Sequence, residues 1–250
     1  MIHKYSMPFR SRTILRMLAG LFFVSFAWAA PEQDPMASQQ PIPMMAGEFQ
    51  FRSGTWARYQ FKPSDQPLSV LEFSVLDHVK QRRGTAWWME IDITSQETDD
   101  VVTRVLLPET DTGPGDAVKA IVQIKGYRPF EVPRKYLRPS PKKADANQVG
   151  DFTVYTPTGD PVAKQFTCNG RTINGMTVKA LDPEGRPITI DVSPDVPPLG
   201  IVAIHSPDVT MDLLDWGDNA KTKISGKPVG LWRWVFGVAV NAAKQGGNAQ

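Results

Sequence analysis

The chain is short of the residues that most often carry catalysis or disulfide bonding. Its 250 residues include one cysteine, Cys168, and three histidines, of which only His78 and His205 follow residue 29. A single cysteine excludes an internal disulfide, so an ordinary apolar core must stabilise the fold. Because free cysteine behaves as a small hydrophobe, we predict that Cys168 is buried.

Recognised catalytic and nucleotide-binding motifs are also absent. The sequence contains no HExxH, CxxC, GxSxG, Walker loop or GxGxxG. The most suggestive cluster is the run HSPD at 205–208. Adjacent strand residues point to opposite faces, so His205 and Ser206 cannot both line one site without a bend, and Pro207 favours a turn there. We predict a protein that is not an enzyme and has no cofactor and no metal site.

The balance of charge gives no argument for nucleic-acid binding. The chain has 28 basic and 26 acidic residues, a net charge of +2. Four of the basic residues and none of the acidic ones lie within residues 1–29, so the remainder carries 24 against 26, or −2. No basic cluster is interleaved with aromatic residues, and we therefore predict no nucleic-acid partner.

Residues 1–29 have the three parts of a secretory signal peptide. Four basic residues precede or flank a short apolar run, MLAGLFFVSFAWAA, which ends in small residues. We expect cleavage near Ala29 and release into the periplasm; the alternative is an uncleaved N-terminal anchor. No later apolar run reaches the roughly 20 residues of a membrane helix, so we predict no stable transmembrane span in the mature chain.

The remaining sequence divides by composition into four parts. A Pro- and Gln-rich linker is predicted over 30–48, and a β domain over 49–228. An apolar helix is predicted over 229–244 and a disordered tail over 245–250.

The β domain is predicted from alternation of apolar and polar residues. PLSVLEFSVLDHV at 67–79, GTAWWMEIDIT at 84–94 and VVTRVLL at 101–107 all follow period 2. No helical pattern separates successive strands, which excludes a parallel sheet with crossover helices. The expected fold is mainly β: a strongly curved antiparallel sheet, an open half-barrel of about a dozen strands, with the C-terminal apolar helix packed on it. A further strand is predicted at 220–225.

The strand at 84–94 predicts which side chains face the interior. The apolar side, expected to face inward, carries Trp87, Met89 and Ile91. The opposite side, expected to be solvated, carries Trp88, Glu90 and Asp92.

The C-terminal stretch GLWRWVFGVAV, residues 230–240, has helical rather than strand spacing of its apolar residues. We predict a helix from Leu231 to Ala243 that docks on the concave side of the sheet. Trp232 and Phe236 lie four residues apart and are predicted to point inward, with Arg233 in water. A membrane or partner contact is the alternative for this segment.

An export signal, many antiparallel strands and an apolar helix resemble the LolA/LolB-like superfamily of periplasmic proteins. Stretches similar to uncharacterised exported proteins near that fold are GTWARY (54–59), VPPLGIV (196–202), LDWG (214–217) and ISGKP (224–228). The resemblance implies an incomplete barrel whose helices cover an apolar cavity that holds acyl chains.

Three functions follow from these observations. The first is a non-catalytic periplasmic protein that binds or carries an apolar ligand, such as a lipid, an acyl chain or a lipidated protein. Its predicted ligand-binding residues are Trp87, Met89, Ile91, Trp232 and Phe236. The second is an interaction module with a filled core that binds an envelope protein, and the third is an exported hydrolase. A dry apolar cavity would favour carriage, and a filled core would favour the module.

Overall fold

The computed structural model describes residues 49–82, 84–111, 113–137, 148–149, 152–153, 156–182 and 184–238. The predicted signal peptide 1–29 and tail 245–250 lie outside these residues. The linker predicted over 30–48 and the predicted helix beyond residue 238 lie outside them as well.

The first part of the described chain consists of strands joined by short turns. These strands are β1 Trp56–Pro63, β2 Ser69–Gln81, β3 Gly84–Ser95, β4 Val101–Thr110, β5 Gly113–Pro114, β6 Lys119–Ile124 and β7 Phe130–Glu131. Their β-branched and aromatic residues suit a pleated surface with one apolar face. A single 3-10 turn, Arg134–Tyr136, follows β7.

The second part adds shorter strands and a helix. The strands are β8 Gln148–Val149, β9 Phe152–Thr153, β10 Thr156–Pro157, β11 Val162–Cys168, β12 Arg171–Leu181, β13 Pro187–Val192, β14 Ile201–His205, β15 Val209–Gly217 and β16 Val229–Gly230. Residues 231–238 form the helix α1. The strand predicted at 220–225 is wrong, because the chain there belongs to no strand.

The described strands form one open 14-stranded sheet and a separate pair, β8 with β9. The large sheet has the order β10-β12-β13-β14-β15-β1-β2-β3-β4-β6-β7-β16, with β11 beside β12 and β5 beside β4. Its pairings are antiparallel except that β16 runs parallel to β7. The predicted fold class, a mainly β, open antiparallel sheet with a C-terminal helix, is confirmed.

Two meanders lie side by side in this sheet. Strands β1 to β7 form the first and β10 to β15 the second, and they join where β1 pairs with β15. Trp56 of β1 is opposite Gly217 of β15. The first described strand is therefore internal, and the two edges of the sheet come from the middle and the end of the described chain.

The apolar core covers the inner face of the sheet, the side that carries Tyr59, Phe73 and Met89. The buried Tyr59 hydroxyl donates a hydrogen bond to the Ile201 carbonyl at 3.0 Å, which ties β1 to β14. Burial raises the pKa of Tyr59, and nearby Cys168 adds to this effect. A second cluster surrounds Phe130 near β6 and β7.

The hairpin β11–β12 covers the inner face of the second meander. Cys168 is buried, as predicted, and its single S–H donor faces the carbonyl oxygens of Leu213 and Leu214, each 3.3 Å from the sulfur. Burial raises the pKa of this thiol. Gly175 of β12 lies too close to the neighbouring strand β13 for a side chain, because a Cβ there would collide with the Val192 carbonyl oxygen. The sheet thus folds part of itself over its own core.

Candidate functional site

Three residues predicted to line an apolar cavity lie on the inner face of β3. Met89 and Ile91 belong to the main core cluster and are exposed by only 2% and 5%. The ring of Trp87 stacks on Phe51 with centroids 5.7 Å apart, and its indole nitrogen donates to the Glu109 carboxylate at 2.9 Å. These contacts are with the protein itself, so ligand binding by the three residues stays a prediction.

The prediction of a solvated face on the other side of β3 is wrong. That face carries Trp88, Glu90 and Asp92. Residues 218–228, which we call the strap, cross it, and Glu90 is only 2% exposed. The Thr222 hydroxyl and the Lys223 backbone N–H donate to the two carboxylate oxygens of Glu90, both at 2.6 Å. A chain segment, rather than water, satisfies this carboxylate.

An ion network fixes the strap to the outer face. The Lys223 ammonium lies 2.7 Å from both Glu72 and Asp92, and Arg58 donates two hydrogen bonds to Glu72 at 2.6 and 2.9 Å. Burial alone would raise the pKa of Glu72, but hydrogen bonds from Lys223 and Arg58 together with their charges lower it. Burial alone would lower the pKa of Lys223, but its hydrogen bonds to Asp92 and Glu72, together with their charges, raise it.

The strap continues across the first meander toward the edge strand β7. The guanidinium of Arg104 lies 4.9 Å from the centre of the Trp88 ring. Further along, the Ser225 N–H donates to the Gln123 side chain at 2.8 Å. The strap then leads into β16, which pairs with β7. We assign the outer-face network a structural role: it carries the chain to the edge where α1 begins.

The HSPD run ends strand β14 at His205 and forms the turn to β15 with residues 206–208, as the sequence predicts. The Ser206 hydroxyl accepts a hydrogen bond from the Val209 N–H at 3.1 Å. His205 Nε2 lies 2.8 Å from the Asp212 carboxylate. Serine and histidine thus have different partners, and this cluster does not form the hydrogen-bonded pair that nucleophilic catalysis requires.

Helix α1 is anchored by Trp234, which is exposed by 6%. Its ring packs 4.7 Å from Phe130 and 6.0 Å from Tyr127, and Leu231 and Val238 pack on the same cluster. Positions 231, 234 and 238 lie on one side of a helix. The helix therefore docks on the inner side of the sheet at its β7 edge.

The prediction that Trp232 and Phe236 point inward is wrong. They are exposed by 61% and 69%, and Val235 between them is exposed as well. The helix is apolar on two sides, and spacing alone did not decide which side packs. The stripe through 231, 234 and 238 is also at helical spacing, so the sequence is compatible with either side of the helix.

A groove of about 370 Å³ lies at the start of α1. Apolar side chains line most of it, and Arg134 and Arg233 contribute its positive charges. The groove is lined by Glu131, Val132, Pro133, Arg134 and residues 228–233. Glu131 pairs with Lys119 at 3.1 Å. A second groove of about 350 Å³ shares Glu131 and Arg134 with the first.

The described part of the chain offers no other built centre of chemistry. Within it, no three His, Cys, Asp or Glu side chains cluster as metal ligands would. No helix in the same part is long and apolar enough to cross a membrane. The candidate functional site is therefore the exposed apolar face formed by Trp232, Val235 and Phe236, together with the groove beside it. We call this exposed face, without the groove, the aromatic face.

No family model and no curated protein matches the chain. Among solved structures, the chain is similar to a lipoprotein candidate from Parabacteroides distasonis ATCC 8503. The identity is 12% and the TM-score 0.34, over 68% of this chain and 97% of that one. A likeness this remote carries no argument, so membership of the LolA/LolB-like superfamily stays a prediction.

Proposed function

We propose that the protein is a non-catalytic, exported protein of the cell envelope that docks on a lipid surface through the aromatic face. The observation that carries the proposal is the contrast within α1. Trp234 fixes the helix to the sheet, whereas Trp232 and Phe236 point outward and are about two-thirds exposed. A short helix with aromatic residues on an outward face suits the boundary between lipid and water.

The exposed area is large enough to matter. An aromatic side chain presents about 150–250 Å². With about two-thirds of that area exposed on Trp232 and Phe236, transfer from water would contribute roughly 6 kcal/mol, at about 25 cal/mol per Å² and before entropic costs. This gain supports docking at a surface. Carriage inside the sheet has less support, because Met89 and Ile91 already pack against neighbouring side chains.

The part of the sequence that contains the aromatic face is basic. From Asn219 to Gln250 it has five basic residues and no acidic one, although the chain beyond residue 29 has a net charge of −2. Lys223 is paired with Glu72 and Asp92, whereas Lys227 and Arg233, before and within α1, are exposed. Basic residues beside apolar rings suit anionic lipid headgroups beside acyl chains.

A paired substitution tests the proposal. Trp232→Ser with Phe236→Ser should reduce co-sedimentation with washed host-envelope membranes at least tenfold. Val162→Ser with Met176→Ser, which also removes two exposed apolar side chains, should have no effect. Thermal melts check that both variants are folded. Unchanged sedimentation of the first variant would overturn the proposal. Binding that disappears when the membranes are treated with protease would instead favour the envelope interaction module.

A further inference from the structure

We infer that the groove at the start of α1 recognises the phosphate of anionic lipids through Arg134 and Arg233, while the aromatic face enters the apolar layer. This inference rests on the proposed function and adds a choice of lipid to it. The groove, about 370 Å³ in volume, is lined by apolar residues and by these two arginines.

The backbone brings the two arginines to the same end of one strand pairing. Strands β16 and β7 are parallel, and Gly230 pairs with Glu131. Arg233 lies three residues after Gly230, and Arg134 lies three residues after Glu131. Because parallel strands deliver their chains in the same direction, both side chains begin at the same end of the pairing. The Trp234 anchor then fixes α1, and Arg233 with it.

The charges of the groove favour an anion. Both arginines are exposed, and Lys135 and Lys227 on the same two segments are exposed as well. The carboxylate in the lining, Glu131, already has a cation partner in Lys119. A guanidinium presents a planar fork of donors that matches phosphate oxygens in a bidentate manner. Two such forks beside an apolar lining suit a phospholipid headgroup whose acyl chains lie against Trp232 and Leu231.

The order of layers at a membrane agrees with this arrangement. Tryptophan is enriched at the level of the headgroups, and arginine extends its charged end toward water while its stem contacts apolar surface. Trp232 and Arg233 are neighbours at the rim of the groove. Both preferences are met if the groove lies at the boundary between headgroups and acyl chains.

Flotation with protein-free vesicles tests the inference. Purified protein, exported and with its N-terminus verified, is mixed with vesicles of phosphatidylcholine alone or with about one-third phosphatidylglycerol. We expect tight binding only to the anionic vesicles. Arg134→Gln with Arg233→Gln should weaken it roughly 25-fold, about fivefold per charge. Lys62→Gln with Lys179→Gln removes the same charge from β1 and β12 and should change the affinity less than twofold.

The possible outcomes separate the inference from the proposed function. Equal binding to both vesicles would overturn anionic recognition, and an arginine variant as tight as wild type would overturn recognition by the groove. Either result leaves docking on lipid intact. Binding to native membranes without binding to either vesicle would overturn both and indicate a protein partner. Loss of anionic binding in the Trp232→Ser, Phe236→Ser variant, together with a weakened arginine variant, would support both.

Discussion

Met89 and Glu90 are neighbours on β3, and both side chains are 2% exposed, yet different parts of the chain bury them. Met89 packs against side chains of the sheet's own inner face. Glu90 is covered by the strap, more than 130 residues later in the sequence. Alternation along a strand therefore predicts which face is apolar and which is polar. How exposed each face is depends on which other parts of the chain pack on that face.

The two faces also differ in what holds them together. Burial of apolar area on the inner face is non-directional, so its stability scales with volume and packing. The outer face depends on specific donors and acceptors, each of which is costly when it loses its partner. Substitutions on the two faces of β3 should therefore destabilise the protein for different reasons. The following experiments distinguish these two causes.

The largest effect is expected from Ile91→Asp on the inner face. It removes apolar contacts and buries a carboxylate without a partner, so the free energy of unfolding should fall by more than about 4 kcal/mol, enough to prevent folding. Ile91→Val is the matched control and should cost about 1 kcal/mol in urea denaturation. An aspartate variant as stable as the valine variant would contradict the assignment of this face to the core.

On the outer face, Glu90→Ala should cost about 3 kcal/mol, because it leaves the Lys223 N–H and the Thr222 hydroxyl without their acceptor. Glu90→Gln keeps an acceptor oxygen in place and should cost about half as much. Urea denaturation of both variants gives the comparison. If the alanine variant lowered the free energy of unfolding by less than about 0.5 kcal/mol, Glu90 would behave as a solvated surface residue, contrary to the structure.

Acid should weaken the outer face through Glu72. Its folded pKa is lowered from an ordinary value of 4.5. The ionised group therefore stabilises the fold above the unfolded pKa, and this contribution is lost as pH falls through the folded pKa. Glu72→Gln should cost about 2 kcal/mol at pH 7. Its stability should also fall less steeply than that of wild type below about pH 4.5. Parallel pH profiles for both proteins would refute the role of this carboxylate.

The smallest effect is expected from Asp92→Asn, about 0.5–1 kcal/mol, since Lys223 keeps its bond to Glu72. This exceeds what a fully solvated aspartate would give. The difference from wild type should shrink at about 0.5 M salt, where charges are screened. A salt-independent difference would indicate that the hydrogen bond rather than the charge carries the effect.

The local sequence pattern was sufficient to predict much of the sheet. The run 84–94 corresponds to β3, Gly84–Ser95, and 101–107 lies within β4, Val101–Thr110. The burial of Cys168 and the turn at 205–208 also followed from residue type and spacing. Each of these features depends on residues close together in the sequence, which is where alternation and turn chemistry act.

The features that sequence reasoning missed depend on contacts between distant residues. Residues 220–225 have strand-like composition, and nothing local shows that they bind Glu90 and Glu72 instead of a neighbouring strand. In α1, two apolar stripes compete, and Phe130 with Tyr127 selects the one that contains Trp234. For the candidate site, the sequence singled out Trp232 and Phe236 but placed them on the packed side of the helix, whereas they lie on the exposed side.

The pairing of β1 with β15 has a consequence for how the protein is made. The ends of this contact, Trp56 and Gly217, are separated by most of the described chain. A polypeptide that emerges N-terminus first can pair β1 with β2 at once, but the other side of β1 stays open until β15 arrives. Open strand edges invite mispairing, and long-range pairings form slowly. We therefore expect newly made protein to be most prone to associate with other copies before its last quarter has been delivered.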